Sequence, residues 1–223
     1  MVVLDIFGTP SLIISSNWVT EKDAARLRRV LGRKKLVLAS VSPRRQRVLE
    51  QCAVKFSVLP VEVGETIEPG GSPGGHVLRW SRIKAQAAAE KLTRGLILAA
   101  DTVVYYRRIL GKPVDEVDAR RLLAALDGRT HTVYTGITLL AMPEHARISG
   151  WCATRVTFHR VGNHAIREYI KTGEPLDKAG AYGIQGLGGR LVARIDGPLD
   201  NVVGLPVGRL ADMIQRLYTK MSR

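Results

Sequence analysis

The sequence predicts an α/β fold with a mixed, curved sheet flanked by helices. Its 223 residues are 45% apolar and 24% charged, a composition that can bury a core and is too apolar for a disordered chain. Short apolar runs alternate along the chain with segments in which apolar residues recur at helical spacing. No internal repeat interrupts this alternation. We therefore expect one α/β domain over residues 35–223, preceded by an extension over residues 1–34.

Residues 1–34 are predicted to form an extension that packs on this domain. Residues 1–16 are apolar, but the early acid Asp5 and the lack of a basic start argue against a secretory signal. Thr20 then has the position of a helix cap, and Gly32 has the position of a helix stop. A short helix is therefore expected between them.

The first half of the domain is predicted from apolar runs and capping residues. Residues 36–39 and 56–61 are short apolar runs typical of strands. Ser42, with a proline directly after it, begins a helix, because its hydroxyl suits the cap and proline suits the first helical position. Residues 70–75 are rich in turn-forming residues and predict a loop. Residues 76–92 have the apolar spacing of a helix.

The second half follows the same rules. Apolar runs predict strands at 96–106, returning as a hairpin at 109–110, and then at 132–141, 148–160 and 191–195. Capping residues or helical spacing predict helices after Asp115, after Asn163 and over 207–218. A glycine-rich loop over residues 180–189 precedes the last strand.

Charge and cysteine content narrow the function classes. Lys and Arg total 34 against 20 Asp and Glu, for a formal net charge of +14, which favours nucleic acid, free nucleotides or an acidic membrane face as partner. Aromatic residues make up only 5%, so no stacking platform for RNA is predicted. No stretch approaches the roughly 18 apolar residues of a membrane span. Two cysteines, Cys52 and Cys152, are too few for a disulfide scaffold or a cysteine zinc site.

The strongest local signal is a pair of arginines in the first turn of a helix. Arg44 and Arg45 follow the predicted cap Ser42, where free N–H groups and the helix dipole already concentrate positive charge. Each cation is unfavourable there by roughly 0.3–1 kcal/mol unless an anion answers it. Phosphate oxygens suit both the helix N-terminus and the arginines, and the Ser40 hydroxyl adds a donor beside the same turn. The alternative is that both arginines turn to solvent or pair with acids.

A second signal is an acid inside an apolar strand. Asp101 interrupts the apolar run over 96–104, and an unpaired buried carboxylate costs several kcal/mol. It therefore needs a proton, a metal or a cation such as Lys112, which follows the predicted hairpin. Because a free aspartate is a weak base at neutral pH, either burial raises its pKa or it holds a metal that activates water. A structural Asp–Lys pair is the alternative.

Three further residues are weaker candidates on their own. Glu65 follows a strand and a glycine, which suits either a metal ligand or a solvated loop acid. Lys84 lies mid-helix and either reaches a phosphate or is exposed. Gln185 offers an amide on a glycine-rich loop that can approach a ligand closely. His131 is interpreted as structural.

Six motifs occur in order along the chain: Ser40-x-Ser-Pro-Arg-Arg45, Ala100-Asp101-Thr102, Gly111-Lys112-Pro113, His131-x-Val-Tyr-Thr-Gly136, the run from Gly173 to Gly186, and Asn201-Val-Val-Gly-Leu-Pro206. Together they closely resemble the Maf family of nucleoside triphosphate pyrophosphatases. The resemblance covers Lys35 to about Leu217, which is nearly everything except the extension.

The resemblance implies hydrolysis of a nucleoside triphosphate to the monophosphate and pyrophosphate with a divalent metal, Mg²⁺ or Mn²⁺. It implies an elongated fold with a deep central cleft, similar to inosine triphosphate pyrophosphatases. Asp101 would be the proton acceptor and, with Glu65, a metal ligand, while Lys84 and Lys112 would be catalytic. The residues implied to bind substrate are Ser40, Arg44, Arg45, Thr102 and Gln185.

The same resemblance bears on the nucleotide. Arg44, Thr102 and Gln185 match the family members that act on dTTP and UTP, whereas members acting on 7-methyl-GTP tend to carry an aromatic residue, Gln and Glu there. An amide at Gln185 can both donate to and accept from the O4/N3–H edge of uracil or thymine, which a carboxylate cannot do.

Two alternatives stay open. One is a pyrophosphatase for modified or non-standard purine nucleotides. The other is a basic nucleic-acid-binding or cell-division regulatory protein with a vestigial cleft. We expect a cytoplasmic enzyme that has no membrane partner. Nucleic acid is disfavoured as a ligand. Whether the protein forms a homodimer stays open.

Overall fold

The computed structural model describes residues 17–67 and 70–222 and confirms the α/β class with a mixed sheet. The α-helices of these residues are α1 Glu21–Leu31, α2 Pro43–Gln51, α3 Pro73–Ala89, α4 Glu116–Leu126, α5 Gly162–Lys171, α6 Leu199–Val203 and α7 Val207–Met221. The strands are β1 Leu36–Leu38, β2 Phe56–Val58, β3 Gly95–Tyr106, β4 Arg108–Leu110, β5 Thr130–Met142, β6 Ala146–Phe158 and β7 Val192–Asp196.

The strands pair in the order β2-β1-β3-β5-β6-β7, and β4 pairs with β3. β1 runs parallel to both β2 and β3, with Leu38 opposite Val58 and Leu98. β4 returns antiparallel along β3, and β7 lies antiparallel to β6. Parallel and antiparallel pairs together make the sheet mixed, as the sequence predicts.

The described residues form two compact units. One contains residues 17–102, 134–152 and 199–222, and we call it the Asp101 unit. The other contains residues 103–133 and 153–198, and we call it the Gln185 unit. The cleft that the resemblance implies stays a prediction. Within the described ranges, no helix is both long and apolar enough to cross a membrane.

Small side chains bring helix α3 close to the sheet in the Asp101 unit. Ala85, Ala88 and Ala89 of α3 pack with Ala39, Ile97, Ala99 and Leu140 in one buried cluster. Alanine keeps little volume between a helix and a sheet, so the two backbones can approach closely. Lys84 precedes Ala85 on this helix, and Asp101 lies two residues beyond Ala99 on β3. The cluster therefore places the two charged side chains on facing elements.

The predicted helix of the extension is confirmed, and it packs on the last helix of the chain. Thr20 caps α1 by accepting a hydrogen bond from the Asp23 N–H at 3.1 Å. Leu27 and Leu31 are buried on the face of α1 that contacts α7. The Lys34 ammonium lies 3.5 Å from the centre of the Tyr218 ring. These contacts attach residues 17–34 to the Asp101 unit, while the predicted apolar stretch over residues 1–16 lies outside the described residues.

Two predicted helix starts are wrong, and capping explains both. Helix α3 begins at Pro73 and not at residue 76, because the Ser72 hydroxyl caps it by accepting the Gly75 N–H at 3.1 Å. The last three residues of the predicted loop, 73–75, therefore belong to the first turn of the helix. Asn163 does not cap α5. The Asp127 carboxylate does so from 34 residues away, accepting the Val161 N–H at 2.7 Å.

Asp200 carries a pH-dependent part of the stability. Its buried carboxylate accepts the Val207 N–H at 2.7 Å. Burial, partly offset by backbone hydrogen bonds and reinforced by the charge of Asp23, raises the pKa of Asp200 from 3.8 to about 6. The folded state therefore binds this proton more tightly than the unfolded state does. The raised pKa of Asp200 therefore stabilises the folded state by about 3 kcal/mol below about pH 4, and this contribution is lost as the pH rises through about 6.

Asp200→Asn keeps an oxygen for Val207 and removes the buried charge. We expect its free energy of unfolding to exceed that of the parent by a few kcal/mol at neutral pH and to match it near about pH 4. Urea unfolding of both proteins across this range measures the difference. A difference that stays constant with pH would show that Asp200 does not carry the effect.

Candidate active site

The candidate site lies where the parallel pairing of β1 with β3 ends, in the Asp101 unit. β1 and β3 are in register, and the Ala39 N–H donates to the Leu98 carbonyl at 2.8 Å. Ser40 lies two residues beyond the end of β1, and Asp101 lies on β3 three residues beyond Leu98. Because β1 and β3 run parallel and in register, the residues beyond Leu38 and Leu98 leave the paired segment in the same direction and are brought together at one edge of it. Helix α2 starts at the same edge, with Pro43 at its first position as predicted.

Arg45 is a buried cation whose partners carry no charge. Its Nε donates to the Gly204 carbonyl at 3.0 Å, its Nη1 to the Ser40 hydroxyl at 3.1 Å and its Nη2 to the Thr102 hydroxyl at 3.1 Å. Among the described residues, no carboxylate lies within ion-pair distance of it. Burial lowers the pKa of Arg45, although Asp101 acts in the opposite direction. A buried guanidinium without an ion-pair partner, in the first turn of a helix, favours binding of an anion.

A directed chain of hydroxyls holds Arg45 in place. The Thr135 hydroxyl donates its one proton to the Asn201 carbonyl at 2.9 Å. Its contact with Thr102, at 3.0 Å, must therefore be donated by Thr102. Thr102 in turn accepts from Arg45. The proton order thus runs from Arg45 through Thr102 and Thr135 to a backbone carbonyl, and the Thr102 hydroxyl is occupied on both sides.

Ser40 keeps a proton for another group. Its oxygen accepts the Ser42 N–H at 3.2 Å and the Arg45 guanidinium at 3.1 Å, and both contacts use lone pairs. The hydroxyl proton takes part in neither contact. Arg44, half-buried in the same helical turn, adds a second positive charge. The turn therefore presents two cations and a hydroxyl donor.

Lys84 bridges two carboxylates beside this turn. Its Nζ lies 2.8 Å from Asp101 Oδ1 and 2.5 Å from Glu65 Oε1. Asp101 and Lys84 are both buried, whereas the Glu65 side chain is 48% exposed. The alternative that Lys84 is merely an exposed helix lysine is therefore wrong, whereas Glu65 is an exposed loop acid that also pairs with Lys84.

The second oxygen of Asp101 has no partner in the described part of the chain. Within the described residues, Asp101 Oδ2 is buried and accepts no hydrogen bond. Burial of an unsatisfied carboxylate oxygen costs several kcal/mol, so a ligand that supplies a proton or a cation here is favoured. The arrangement can therefore accept a proton from a bound group at Oδ2 while Lys84 holds Oδ1.

Carboxylates of this kind also fit a hard divalent cation. Mg²⁺ takes oxygen ligands and is commonly held by one or two carboxylates together with substrate phosphates and water. Asp101 and Glu65 offer such a pair, because both contact the ammonium group of Lys84. Asp101 Oδ2 has no hydrogen-bond partner among the described residues and could therefore bind a cation. In the described part of the chain, no group of three or more His, Cys, Asp or Glu forms a metal site by itself. A ligand would have to supply the remaining oxygens.

The other two candidates belong to the Gln185 unit. Gln185 lies between two 3₁₀ turns, Ala179–Ala181 and Leu187–Leu191, and its Nε2 is buried. No described residue accepts a hydrogen bond from this nitrogen. Lys112 is exposed and follows β4, whose hairpin with β3 is confirmed.

The structure brings most of the predicted residues together. Those that it gathers in the Asp101 unit are Ser40, Arg44, Arg45, Glu65, Lys84, Asp101 and Thr102. The cation that pairs with Asp101 is Lys84, which sequence reasoning treated as a weaker candidate. Thr135, Asn201 and Gly204 were missed. Thr135 and the latter two lie in the fourth and sixth motifs, but spacing alone does not reveal their contact with Arg45. His131 bonds Tyr182 at 2.8 Å and burial lowers its pKa to about 3, in keeping with a structural role.

The sequence is similar to those of known proteins over most of its length. A family model described as Maf, Maf-like protein, matches residues 35–217. The chain is 47% identical over 177 residues to a protein of Carboxydothermus hydrogenoformans named dTTP/UTP pyrophosphatase, covering 79% of this chain and 95% of that one. It is 47% identical over 190 residues to a Bacillus cytotoxicus protein of the same name, covering 85% and 98%.

Solved structures were compared as well. The Ham1 protein of Staphylococcus aureus aligns with 56% of this chain and 72% of its own, at 15% identity and a TM-score of 0.37.

Proposed function

The chain belongs to the Maf-like protein family, and on that premise we propose that it hydrolyses dTTP and UTP to the monophosphate and pyrophosphate. Relatives that are 47% identical over most of their length are named dTTP/UTP pyrophosphatases. The observation that carries the proposal is the buried Arg45 guanidinium, whose partners among the described residues are all uncharged and which lies at a helix N-terminus in the same cluster as Asp101. This arrangement supports binding of a polyanion next to a proton acceptor.

The triphosphate would bind at the start of α2. Arg44 and Arg45 would neutralise phosphate oxygens, and the free Ser40 proton would donate to one of them. Thr102 would contribute through Arg45, since its hydroxyl is occupied by Arg45 and Thr135. Positioning and charge neutralisation supply most of the acceleration in phosphoryl transfer, which suits a site built from cations.

Asp101 would act on the attacking water. The water oxygen forms a bond to the α-phosphorus, and the bond from that phosphorus to the bridging oxygen of the β-phosphate breaks. Asp101 Oδ2 accepts the water proton with one of its two lone pairs and leaves the other for a cation, because Oδ1 is held by Lys84. Lys84 would offset the negative charge that pyrophosphate carries away, and Lys112 is proposed as a catalytic residue from the family resemblance.

We propose that the reaction needs Mg²⁺ or Mn²⁺, held by Asp101 and Glu65. The open Oδ2 of Asp101 and the neighbouring Glu65 carboxylate fit a hard cation whose other ligands come from substrate and water. Such a cation, when bound, withdraws charge from phosphate oxygens and lowers the pKa of a bound water. Lys84, which now bridges the two carboxylates, would release Glu65 for this role and stay with Asp101.

Gln185 would recognise the base. Its buried Nε2 has no acceptor among the described residues, and the O4 carbonyl of uracil or thymine would provide one.

We also propose that residues 1–34 are an extension to a catalytic domain over 35–223, because the family match begins at residue 35. An enzyme acting on these nucleotides would work in the cytoplasm.

Pyrophosphate release from a panel of common and modified triphosphates tests the function. We expect UTP and dTTP to give the largest kcat/KM, and chelation of divalent metal to lower it by about 10²-fold or more. A preference for modified purine nucleotides would replace the proposed substrate. Binding of duplex DNA or RNA at physiological salt without any pyrophosphate release would contradict an enzyme altogether.

A further inference from the structure

The backbone of the loop that carries Gln185 is hydrogen-bonded to one carboxylate, that of Glu174. Glu174 Oε2 accepts the Leu187 N–H at 2.9 Å, and Glu174 Oε1 accepts the Gly188 N–H at 3.1 Å. The Tyr169 hydroxyl donates to Oε1 at 2.8 Å. Both oxygens of Glu174 are thus committed, and two of the three donors are backbone groups that directly follow the turn of Gln185 and Gly186.

Tyr169 ties the other side of the loop to the same carboxylate. While its hydroxyl donates to Glu174, its oxygen accepts the Gly183 N–H at 3.2 Å. Backbone amides at positions 183, 187 and 188 are therefore fixed to one Tyr–Glu pair, on both sides of Gln185. Burial and the neighbouring Glu174 raise the pKa of Tyr169, so this hydroxyl keeps its proton and its role as donor.

The glycines of the loop are required by the same contacts. A Cβ at Gly186 would clash with the Glu174 carboxylate, because it would lie 2.3 Å from Oε2, well inside van der Waals contact. A Cβ at Gly188 would lie 2.4 Å from the Tyr169 hydroxyl. Only glycine lets the backbone lie this close to the pair. The loop is therefore packed onto Glu174 and Tyr169 as well as bonded to them.

The chain before Gln185 is anchored independently. Tyr182 is buried and bonds His131 at 2.8 Å through its hydroxyl. Its ring also packs edge-on against Phe158, with ring centroids 4.8 Å apart. With Tyr182 fixed, the conformation of the three residues from Gly183 to Gln185 depends on the Glu174 and Tyr169 contacts.

We propose that Glu174 is a positioning residue that determines base specificity through Gln185. This inference rests on the proposed function, because it assigns to Gln185 the recognition of uracil and thymine. Glu174 does not touch the base in this proposal. It fixes the loop backbone, and the loop backbone aims the buried, unpartnered Nε2 of Gln185.

Glu174→Gln tests the proposal with a change of a single atom type. In either orientation, the Gln NH₂ group faces one of the two loop N–H groups, so one of them loses its acceptor. We expect the ratio of kcat/KM for UTP to that for CTP to fall about tenfold. Loss of folded or active enzyme lowers both values equally and cancels in this ratio. An unchanged ratio would overturn the proposal.

Two further variants show whether the effect acts through Gln185. Tyr169→Phe removes the hydroxyl that joins Gly183 to Glu174, and we expect the same direction of change. In a Gln185→Ala background, Glu174→Gln is expected to change the ratio little further, because the group that it positions is gone. Additive effects of the two substitutions would contradict positioning through Gln185.

Glu168→Gln is the matched control. Glu168 lies on α5 and pairs with the exposed Lys171 at 2.8 Å. Its amide variant is expected to keep the nucleotide ratio of the parent. A fall as large as that of Glu174→Gln would mean that loss of any acid in this region has the effect, and would overturn the specific role of Glu174.

Amide hydrogen exchange separates this inference from the proposed function. We expect faster exchange at Leu187 and Gly188 in Glu174→Gln than in Glu168→Gln, whatever the enzyme hydrolyses. A parent that releases no pyrophosphate from UTP overturns the proposed function, and the exchange rates still decide whether Glu174 holds the loop. Unchanged exchange in an active enzyme overturns only the role of Glu174.

Discussion

Asp101→Asn is expected to lower the rate of pyrophosphate release from UTP by about 10³-fold and to leave nucleotide binding largely intact. Asparagine has nearly the shape of aspartate, and its amide oxygen can still accept from Lys84. Its amide nitrogen, however, takes the place of the unpartnered Oδ2, so the variant cannot accept the proton of the attacking water. Steady-state release of pyrophosphate and calorimetric binding of UTP measure the two effects separately.

Asp212→Asn is the matched control for this experiment. Asp212 lies on α7, where it pairs with Arg26 of α1 and takes no part in the candidate site. Its variant is expected to release pyrophosphate as the parent does. Turnover by Asp101→Asn at the parent rate would remove Asp101 from the mechanism, whereas lost binding with retained turnover per bound nucleotide would make its role one of affinity.

Replacing Arg45 with alanine is expected to weaken UTP binding by about 100-fold. The side chain supplies a desolvated positive charge that pairs with no carboxylate among the described residues, so a phosphate group would be its first charged partner. Charge-assisted hydrogen bonds of this kind contribute roughly 1.5–3 kcal/mol each. Calorimetry in the Asp101→Asn background measures affinity without turnover.

The same substitution also removes three internal hydrogen bonds, so folding must be measured alongside affinity. We expect a lower free energy of unfolding by about 2–4 kcal/mol, because the Gly204 carbonyl and two hydroxyls lose their donor. Arg47→Ala, on the exposed side of the same helix, is the control and is expected to keep both stability and affinity. A folded Arg45→Ala protein that binds UTP like the Arg47→Ala protein would contradict phosphate binding at this turn.

The local parts of the fold could be predicted from the sequence. Thr20 and Asp115 each cap a helix as expected, because capping depends on residues within one turn of each other. Ser42 also precedes a helix as expected, but its hydroxyl makes no capping hydrogen bond, and Pro43 occupies the first helical position. Helix α5 was predicted with the wrong cap, because Asp127 acts across 34 residues. Nothing in the local pattern distinguishes Asp127 from an ordinary residue that ends a helix.

The candidate site divides in the same way. Strand ends and the helix start identify Ser40, Arg45 and Asp101, since each interrupts or follows an apolar run. Lys84, on the other hand, was not assigned to Asp101, because their pairing depends on how closely the alanines of α3 pack against the sheet. The contacts of Thr135 and Gly204 with the Arg45 network join segments far apart in the chain, so only the structure reveals them.

The fate of the water oxygen tests the central claim most directly. Hydrolysis of UTP in H₂¹⁸O, followed by mass spectrometry of the products, locates the phosphorus that water attacks. Attack at the α-phosphorus, next to Arg45 and Asp101, predicts label in the phosphate of UMP and none in pyrophosphate. Label in pyrophosphate, or release of inorganic phosphate with UDP as the other product, would contradict the account.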